Sequence, residues 1–263
     1  MVDLKEFEQK AADLRVLGMK ISIGQDTVYE KYWDEDCRRN IYSASKSFTS
    51  CAVGFAVQEG LIDLDERLMD AFKEDIPNNP DENLKKATVK DLLTMTLGQE
   101  KGFLMGKQRP RMEEQNWVKA SLAIPFVYEP GTHFVYNNVG PYLAGILVQR
   151  RAGCDLLSYL TPRLLNLWEY ENHMEVDPEG NTFGAGGLFL TVSELHKLGM
   201  FYLQNGCWNG KKLLSKEWIH ESTRKQVENN KNSYGYGYLF WGGRYNSFSG
   251  QWKIWSIHHD LSG

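Results

Sequence analysis

The amino-acid sequence predicts a mixed α/β (α+β) fold in which one antiparallel sheet collects strands from both ends of the chain. Strand-like segments lie near both termini, and helical periodicity dominates the middle. There is no internal repeat, low-complexity tract or linker. A sheet must bury its faces against helices, so we expect flanking helices. The predicted sheet domain comprises residues 1–60 and 175–263, and a mostly helical domain is inserted over residues 61–174.

The composition is that of an ordinary globular protein. The chain has 263 residues, of which 42% are hydrophobic and 24% charged, enough for one or two domains. The net charge of −4 argues against a nucleic-acid-binding protein. The charged start is unlike a secretory signal, and no stretch of about 18 apolar residues could cross a membrane. Scattered cysteines without a Cys-x-x-Cys pair predict free thiols in a reducing compartment, so a cytoplasmic location is expected.

The first quarter of the chain predicts a helix, a hairpin and a second helix. Apolar residues at helical spacing indicate an amphipathic helix over residues 3–15. Segments 19–23 and 27–32 are typical of two strands joined by a tight turn. A further helix begins near Ser43 and ends at Gly60, a residue type that commonly terminates helices.

The middle of the chain predicts helices around an irregular segment. Thr88 and Asp91 have the spacing of a helix N-cap and its first turn, and this helix is expected to run to the glycine at position 98. The polar segment 99–125 predicts irregular structure with a short helix, lining a cleft. An apolar helix then ends near Gly153, and residues 155–168 predict another helix.

The last third predicts two capped helices and a strand. Thr191 and Glu194 form a capping box, and Ser215 begins a further helix. Residues 234–241 alternate glycine with aromatic residues, which favours a strand.

Ser43 and Lys46 form a candidate nucleophile and base. Residues three apart on a helix leave it on the same face. A serine hydroxyl needs an adjacent base, and a lysine with a lowered pKa can supply one. Unpaired backbone N–H groups at a helix start can stabilise developing negative charge. The alternative is a helix N-cap serine beside a solvated lysine, and Ser222 and Lys225 have the same spacing.

Four segments in a fixed order distinguish the Ser43 pair from the other copy. They are Ser43-Ala44-Ser45-Lys46, Glu129-Pro130-Gly131-Thr132, Tyr136-Asn137-Asn138 and Gly184-Ala185-Gly186-Gly187-Leu188. This order resembles the serine β-lactamase-related family, whose members include class C β-lactamases, D-alanyl-D-alanine peptidases and esterases. The similarity covers about residues 16–246. It implies a β-lactamase/transpeptidase-like fold.

The resemblance also implies residue roles. Ser43 would be acylated, with its backbone N–H in the oxyanion hole, and Lys46 would assist proton transfer. Tyr136 would be the phenolic base and acid, with a pKa that falls beside a lysine cation. Asn138 would hydrogen-bond the substrate. In the alternative interpretation, Tyr136 is a core residue and Asn138 a turn residue. The implied substrate is a small-molecule ester, amide or β-lactam, with no metal or organic cofactor, no nucleic acid and no membrane as partner.

The third family motif departs from the pattern. The family carries Lys-x-Gly or His-x-Gly on a strand facing the nucleophile, and here Lys253, a candidate substrate-binding residue, is followed by Trp255 where glycine is expected. The sheet would then be incomplete and the chain truncated or frameshifted. With permissible codons, residues 251–262 read one base later contain Lys-Tyr-Gly. The rival hypothesis is a catalytically impaired pseudoenzyme or ligand-binding member of the fold. Adjacent His258 and His259 would point to opposite sides of a strand, which does not favour a metal pair.

Overall fold

Helices and short antiparallel strands make up the protein, as the sequence predicted. The computed structural model describes residues 4–165, 173–252 and 255–256, with side chains described for 4–165 and 173–250. The helices in these ranges are α1 (Lys5–Asp13), α2 (Ser45–Gln58), α3 (Leu68–Ala71), α4 (Glu82–Lys86), α5 (Val89–Thr94), α6 (Trp117–Leu122), α7 (Val139–Ala152), α8 (Leu156–Leu160), α9 (Val192–Leu203) and α10 (Lys216–Thr223). None of these helices has the length and apolar character that a bilayer span requires.

The strands are short and pair in twos. They are β1 (Gly18–Ile23), β2 (Asp26–Tyr32), β3 (Arg39–Asn40), β4 (Phe189–Leu190), β5 (Cys207–Trp208), β6 (Lys211–Lys212), β7 (Trp241–Gly242), β8 (Phe248–Ser249), β9 (Gln251–Trp252) and β10 (Trp255–Ser256). Within the described residues, the antiparallel ladders are β1–β2, β3–β4, β5–β6, β7–β8 and β9–β10. The ladder β3–β4 matters most for the site. It pairs the strand just before Ser43 with the strand that follows the glycine-rich segment 184–188.

Helices α2 and α7 form the centre of the core. Both are buried over most of their length; α7 is mainly apolar there, whereas the buried first half of α2 carries polar residues between Ser45 and Ser50. Helix α7 packs against both α2 and α5. At Gly140 an added Cβ atom would lie 2.2 Å from the carbonyl oxygen of Leu92, so the backbones of α5 and α7 are in direct contact. This contact fixes the start of α7, which carries Asn138 as its N-cap.

The predicted strand over residues 234–241 is wrong for most of its length. Strand β7 begins only at Trp241. Before it, Tyr236 makes isolated bridges with Val227 and Trp241, and the residues around Tyr236 form turns, bends and irregular backbone. Leu239 has a φ of +65°, and the Gly237 N–H donates to the Phe240 carbonyl oxygen. The chain therefore reverses here instead of extending. Residues 235–241 are all buried, whereas a half-buried strand would bury every second side chain.

Two predicted helices end earlier than expected. Helix α5 ends at Thr94, because Met95 adopts the left-handed conformation that closes a helix. Helix α8 ends at Leu160, and turns follow as far as residue 165. The remainder of the predicted helix 155–168 lies outside the described residues. The capping boxes at Thr88 and Thr191 are present as predicted.

Candidate active site

Ser43 lies on a tight turn between a strand and a helix. The chain leaves β3, forms a 3₁₀ turn over Tyr42–Ala44, and enters α2 at Ser45. Tyr42 has a φ of +49°, and its N–H donates to Asn40 Oδ1 at 2.7 Å. A non-glycine residue in this region carries a strain of about 1–3 kcal/mol, which the surrounding structure must offset. The strained turn presents Ser43 at the start of α2, where it is only partly buried.

Lys46 is buried beside Ser43 with three hydrogen-bonding partners. Its side-chain nitrogen lies 2.9 Å from Ser43 Oγ. It also lies 2.8 Å from Asn138 Oδ1 and 2.6 Å from the carbonyl oxygen of Ala185. Burial, followed by the charge of Arg109, lowers the pKa of Lys46 from 10.5 to about 7. A neutral amine has two N–H bonds and one lone pair. When the two N–H bonds are used for Asn138 and Ala185, the lone pair faces the Ser43 hydroxyl.

Tyr136 approaches the same serine from the loop before α7. Its phenol lies close to the Ser43 hydroxyl. Lys46 Nζ lies 5.3 Å from the centre of the Tyr136 ring, and the ring stacks on Trp241 at a centroid distance of 5.4 Å. The predicted fall of the Tyr136 pKa is wrong: burial raises the pKa to about 12. The physical reason is that the phenolate is desolvated, while the lysine expected to stabilise it has itself lost much of its charge.

Asn138 is held inside the protein through both ends of its amide. Its Oδ1 accepts from Lys46, and its Nδ2 donates to the Leu104 carbonyl oxygen at 2.9 Å. Its backbone N–H donates to the carbonyl oxygen of Phe103. These contacts hold the lysine and also anchor the loop after α5. The contact between Asn138 and a substrate amide stays a prediction.

The glycine-rich segment 184–188 lies against α2. The Gly184 carbonyl oxygen accepts from Thr49 Oγ1 at 2.7 Å, and the next carbonyl, that of Ala185, accepts from Lys46. Gly184 has a φ of +66° and Gly187 a φ of +79°, which side-chain-bearing residues rarely adopt. The two glycines allow the backbone to approach the lysine closely. Sequence reasoning gave no role to the Ala185 carbonyl, although the Gly-Ala-Gly-Gly pattern signals a special backbone path.

Sequence reasoning also missed Arg109 and Glu175. The Arg109 guanidinium donates from Nη1 to Glu175 Oε2 at 2.8 Å, and it lies 4.3 Å from the centre of the Phe183 ring. Arg109 is in the segment predicted to line the cleft, but no motif marks it. The feature that could have drawn attention to Arg109 is its positive charge within a predicted cleft loop, since cations in such loops are candidates for electrostatic roles.

The second serine–lysine pair has no such surroundings. Ser222 is completely buried in the last turn of α10, and its hydroxyl donates to the Ile219 carbonyl oxygen at 3.1 Å. A buried serine that caps a carbonyl of its own helix is a structural residue. The geometry therefore distinguishes Ser43 from Ser222, as spacing alone could not.

The predicted third motif is described only in part. Lys253, His258 and His259 lie outside the described residues, and the role of Lys253 stays a prediction. Strand β9 lies beside the Ser43 turn and pairs with β10, so its backbone forms one wall of the site. At Gly250 an added Cβ would lie 2.8 Å from Ser47 Oγ, which shows how closely this wall approaches α2. Elsewhere in residues 4–165 and 173–252, no group of three or more His, Cys, Asp and Glu side chains converges to hold a metal.

Comparisons with known proteins concern the family and the fold. A family model described as Beta-lactamase matches residues 5–259. An uncharacterized protein of Alkalihalophilus pseudofirmus is 25% identical over 224 residues, which are 78% of this chain and 63% of that protein. The chain thus spans less than two thirds of the length of that curated relative.

Solved structures show the same fold. The octameric penicillin-binding protein homologue from Pyrococcus abyssi matches with a TM-score of 0.72 and 21% identity, covering 95% of this chain and 68% of that one. A β-lactamase from Mycobacterium bovis matches with a TM-score of 0.61 and 18% identity, covering 88% and 77% of the two chains. At these identities the likeness establishes the fold and leaves substrate and partners to the site itself.

Proposed function

The chain belongs to the β-lactamase family, and on this premise we propose that it is a serine hydrolase that forms an acyl-enzyme on Ser43. The bond attacked is an ester, amide or β-lactam of a small molecule. The observation that carries the proposal is the contact of 2.9 Å between Lys46 Nζ and Ser43 Oγ, with the lysine pKa lowered to about 7. A base that is substantially neutral near pH 7 can accept the serine proton. The cytoplasmic location expected from the sequence stays a prediction.

The proposed acylation step uses three side chains. Ser43 Oγ attacks the carbonyl carbon and transfers its proton to the Lys46 lone pair. Tyr136, whose pKa of about 12 keeps it protonated, donates its phenolic proton to the leaving group. The lysine ammonium then returns a proton to the Tyr136 phenolate, which restores both starting protonation states. In deacylation, water attacks the acyl carbon and gives a proton to neutral Lys46, which passes it to Ser43 Oγ as the ester bond breaks and the acid product leaves. The backbone N–H of Ser43 supports the oxyanion in both steps.

A second candidate function is a catalytically impaired member of the fold. The observation in its favour is Trp255, which stands where the family pattern has a glycine. A member of this kind would keep the Ser43 pocket and bind a ligand without turnover. The loss of one oxyanion-hole donor typically costs a factor of about 10²–10³ in rate, so a member of this kind would turn over a substrate far more slowly.

The test is covalent labelling followed by intact-mass measurement. We expect a fluorophosphonate to add one label to the wild type and to Ser222→Ala, and none to Ser43→Ala. Hydrolysis of p-nitrophenyl acetate and nitrocefin then distinguishes a hydrolase from an impaired member. Equal labelling of Ser43→Ala and wild type would remove Ser43 from the mechanism. Labelling without turnover of either substrate would favour the second candidate.

A further inference from the structure

The carboxylate of Glu175 connects the cleft loop to the turn that carries Ser43. Its Oε2 accepts from Arg109 Nη1 at 2.8 Å, and its Oε1 accepts from Asn40 Nδ2 at 3.2 Å. Asn40 Oδ1 accepts in turn from the N–H of Tyr42 at 2.7 Å. Tyr42 is the residue with a φ of +49° immediately before Ser43. A continuous path of hydrogen bonds therefore runs from the loop to the strained turn.

The loop end of this path is anchored at Arg109. The loop is closed by hydrogen bonds from the Met105 N–H to Gln108 Oε1 and from Gln108 Nε2 to the Gly102 carbonyl oxygen. The Arg109 guanidinium lies 4.3 Å from the centre of the Phe183 ring, which is completely buried. A cation over an aromatic ring in this way is attracted to it. The guanidinium is thus tied both to the loop and to the core.

The backbone of Glu175 is anchored in the glycine-rich segment. Its N–H donates to the Gly187 carbonyl oxygen at 3.0 Å, and its carbonyl oxygen accepts from the Phe183 N–H at 2.8 Å. An added Cβ atom at Gly187 would lie 2.4 Å from Glu175 Cγ, so only glycine leaves space for this side chain. The carboxylate therefore starts from a fixed point on the backbone.

At the other end of the path, the carboxylate decides which way the Asn40 amide faces. A side-chain amide has an accepting oxygen at one end and a donating NH₂ group at the other, whereas a carboxylate paired with a guanidinium only accepts. Glu175 therefore takes the Nδ2 end, which leaves Oδ1 for the Tyr42 N–H. With the amide reversed, two donors would meet at Tyr42. The orientation that supports the strained turn is thus the one that Glu175 selects.

We propose that Glu175, held by Arg109, is a positioning residue that fixes the amide of Asn40. The fixed amide holds the strained turn, and the turn keeps the Ser43 hydroxyl 2.9 Å from Lys46 Nζ. The inference rests on the proposed function for its catalytic consequence, but the state of the turn can be measured without any reaction.

Two substitutions break the path at different points. Glu175→Gln has a single side-chain oxygen, so it can accept from Arg109 or from Asn40 but not from both in the present geometry. Arg109→Met removes the donor on the loop side. The matched controls are Arg111→Met, which removes an exposed cation from the same 3₁₀ turn, and Glu129→Gln, which removes an exposed carboxylate.

The first arm of the experiment follows amide hydrogen exchange by NMR. We expect the Tyr42 N–H to exchange about tenfold faster in Glu175→Gln and Arg109→Met, because a less firmly held turn opens more often. Both control variants should keep the wild-type rate. The Trp218 N–H is the internal reference, since it is also capped by a side chain, donating to Ser215 Oγ at the start of α10. Its exchange should be unchanged in every variant.

The second arm measures fluorophosphonate labelling of Ser43 at about pH 9, where Lys46, with a pKa of about 7, is neutral. The maximal rate and the half-saturating reagent concentration are determined separately. We expect Glu175→Gln and Arg109→Met to lower the maximal rate by about tenfold, because a misplaced nucleophile slows bond formation. The half-saturating concentration should stay within about twofold of the wild type, since neither side chain is assigned to reagent binding.

Combining the two substitutions tests whether the path acts as one unit. In protein that already carries Glu175→Gln, we expect Arg109→Met to slow labelling by less than about twofold more, because residues in one network are not additive. A further loss of about tenfold would show that Arg109 reaches Ser43 by another route, and it would overturn the path.

The two arms separate the inference from the proposed function. Wild-type exchange of the Tyr42 N–H in both path variants would overturn the positioning role. Faster exchange that is matched at Trp218 would also overturn it, because the whole protein would then have loosened. Faster exchange at Tyr42 with wild-type labelling would show that the turn does not position Ser43. If the wild type does not label at all, the proposed function fails, and Tyr42 exchange still decides whether Glu175 holds the turn.

Discussion

Lys46 is the residue on which the proposed chemistry depends most. Its amine is buried with only 1% of the residue exposed, and its pKa falls from 10.5 to about 7. The same burial raises the pKa of Tyr136 to about 12. Desolvation disfavours the charged form of each group, so Lys46 is largely neutral and Tyr136 is protonated near neutral pH. The lowered pKa suits Lys46 to act as a base at this pH, whereas the raised pKa makes the Tyr136 phenol a weaker proton donor.

The acylation rate should therefore depend on the protonation of Lys46. We expect the second-order rate constant for labelling of Ser43 to rise with pH and to level off above a midpoint of about 7. Lys46→Met should lower the plateau by about 10²–10⁴ and remove this pH dependence. The pH range to be measured extends from about pH 5 to about pH 9, which is about two units either side of the midpoint. A wild-type rate constant that does not change over this range would contradict the assignment of Lys46 as the base.

The folding equilibrium offers a second measure of the same residue. Between pH 7 and 10.5 the unfolded chain holds a proton on Lys46 that the folded protein has lost. Because the unfolded state binds more protons, the free energy of unfolding should rise with pH across this window. Urea unfolding of the wild type and Lys46→Met at several pH values tests the sign, and the variant should lack this contribution.

At the scale of elements, the site depends on where the start of α7 meets α5. Asn138 can reach Lys46 only because α7 begins directly against the backbone of α5. Gly140 permits this contact, since any Cβ there would lie 2.2 Å from the Leu92 carbonyl oxygen. An oxygen of the helix backbone cannot move without displacing the helix. The interface of two helices therefore sets the position of a hydrogen bond to the lysine.

Gly140→Ala should separate α5 from α7. We expect a loss of about 1–3 kcal/mol in the free energy of unfolding, the usual cost of overpacking, together with slower labelling of Ser43. The melting temperature should fall by several degrees, since about 1 kcal/mol corresponds to about 2–4 °C in a protein of this size class. Gly106→Ala is the control, because no atom lies within 4 Å of the added Cβ. Equal melting temperatures of the two variants would refute the close-contact argument.

At the scale of the whole molecule, the predicted helical insertion and the predicted sheet domain share one core. Helix α7 packs on α2, and its Tyr142 hydroxyl donates to Asp177 Oδ2 at 2.6 Å, a residue of the predicted sheet domain. Trp117 contacts Phe183 edge to face across the same boundary. Buried contacts of this kind couple the two parts energetically. The division at residues 61–174 stays a prediction about the order of the parts along the chain. The shared contacts do not support two parts that are each stable alone.

The protein should therefore unfold in a single cooperative transition. We expect the urea transitions followed by far-UV circular dichroism and by tryptophan fluorescence to coincide. Leu143→Ala in α7, a fully buried position, should shift both transitions together and cost about 2–5 kcal/mol. Two separated transitions, or a shift of only one of them in Leu143→Ala, would show that the parts unfold independently.

The sequence by itself determined the elements whose causes are local. The capping boxes at Thr88 and Thr191 and the glycine that ends α7 were predictable, because caps depend on residues a few positions apart. The mixed α and β class followed from periodicity along the chain. The family followed from the order of short motifs, and this order singled out Ser43, Lys46, Tyr136 and Asn138 as candidates.

Only the tertiary structure decided how those candidates behave. The pKa of Tyr136 was predicted to fall and instead rises, because desolvation depends on neighbours far away in sequence. The sequence did not predict the roles of the Ala185 carbonyl, Arg109 and Glu175, since the hydrogen bonds that join Ala185 to Lys46 and Glu175 to Arg109 and Asn40 connect segments more than 60 residues apart. The turn within residues 234–241 was missed because a positive φ at Leu239 is imposed by packing, not by its residue type. Burial and charge at a site are properties of the folded arrangement, whereas caps and periodicity are properties of the chain.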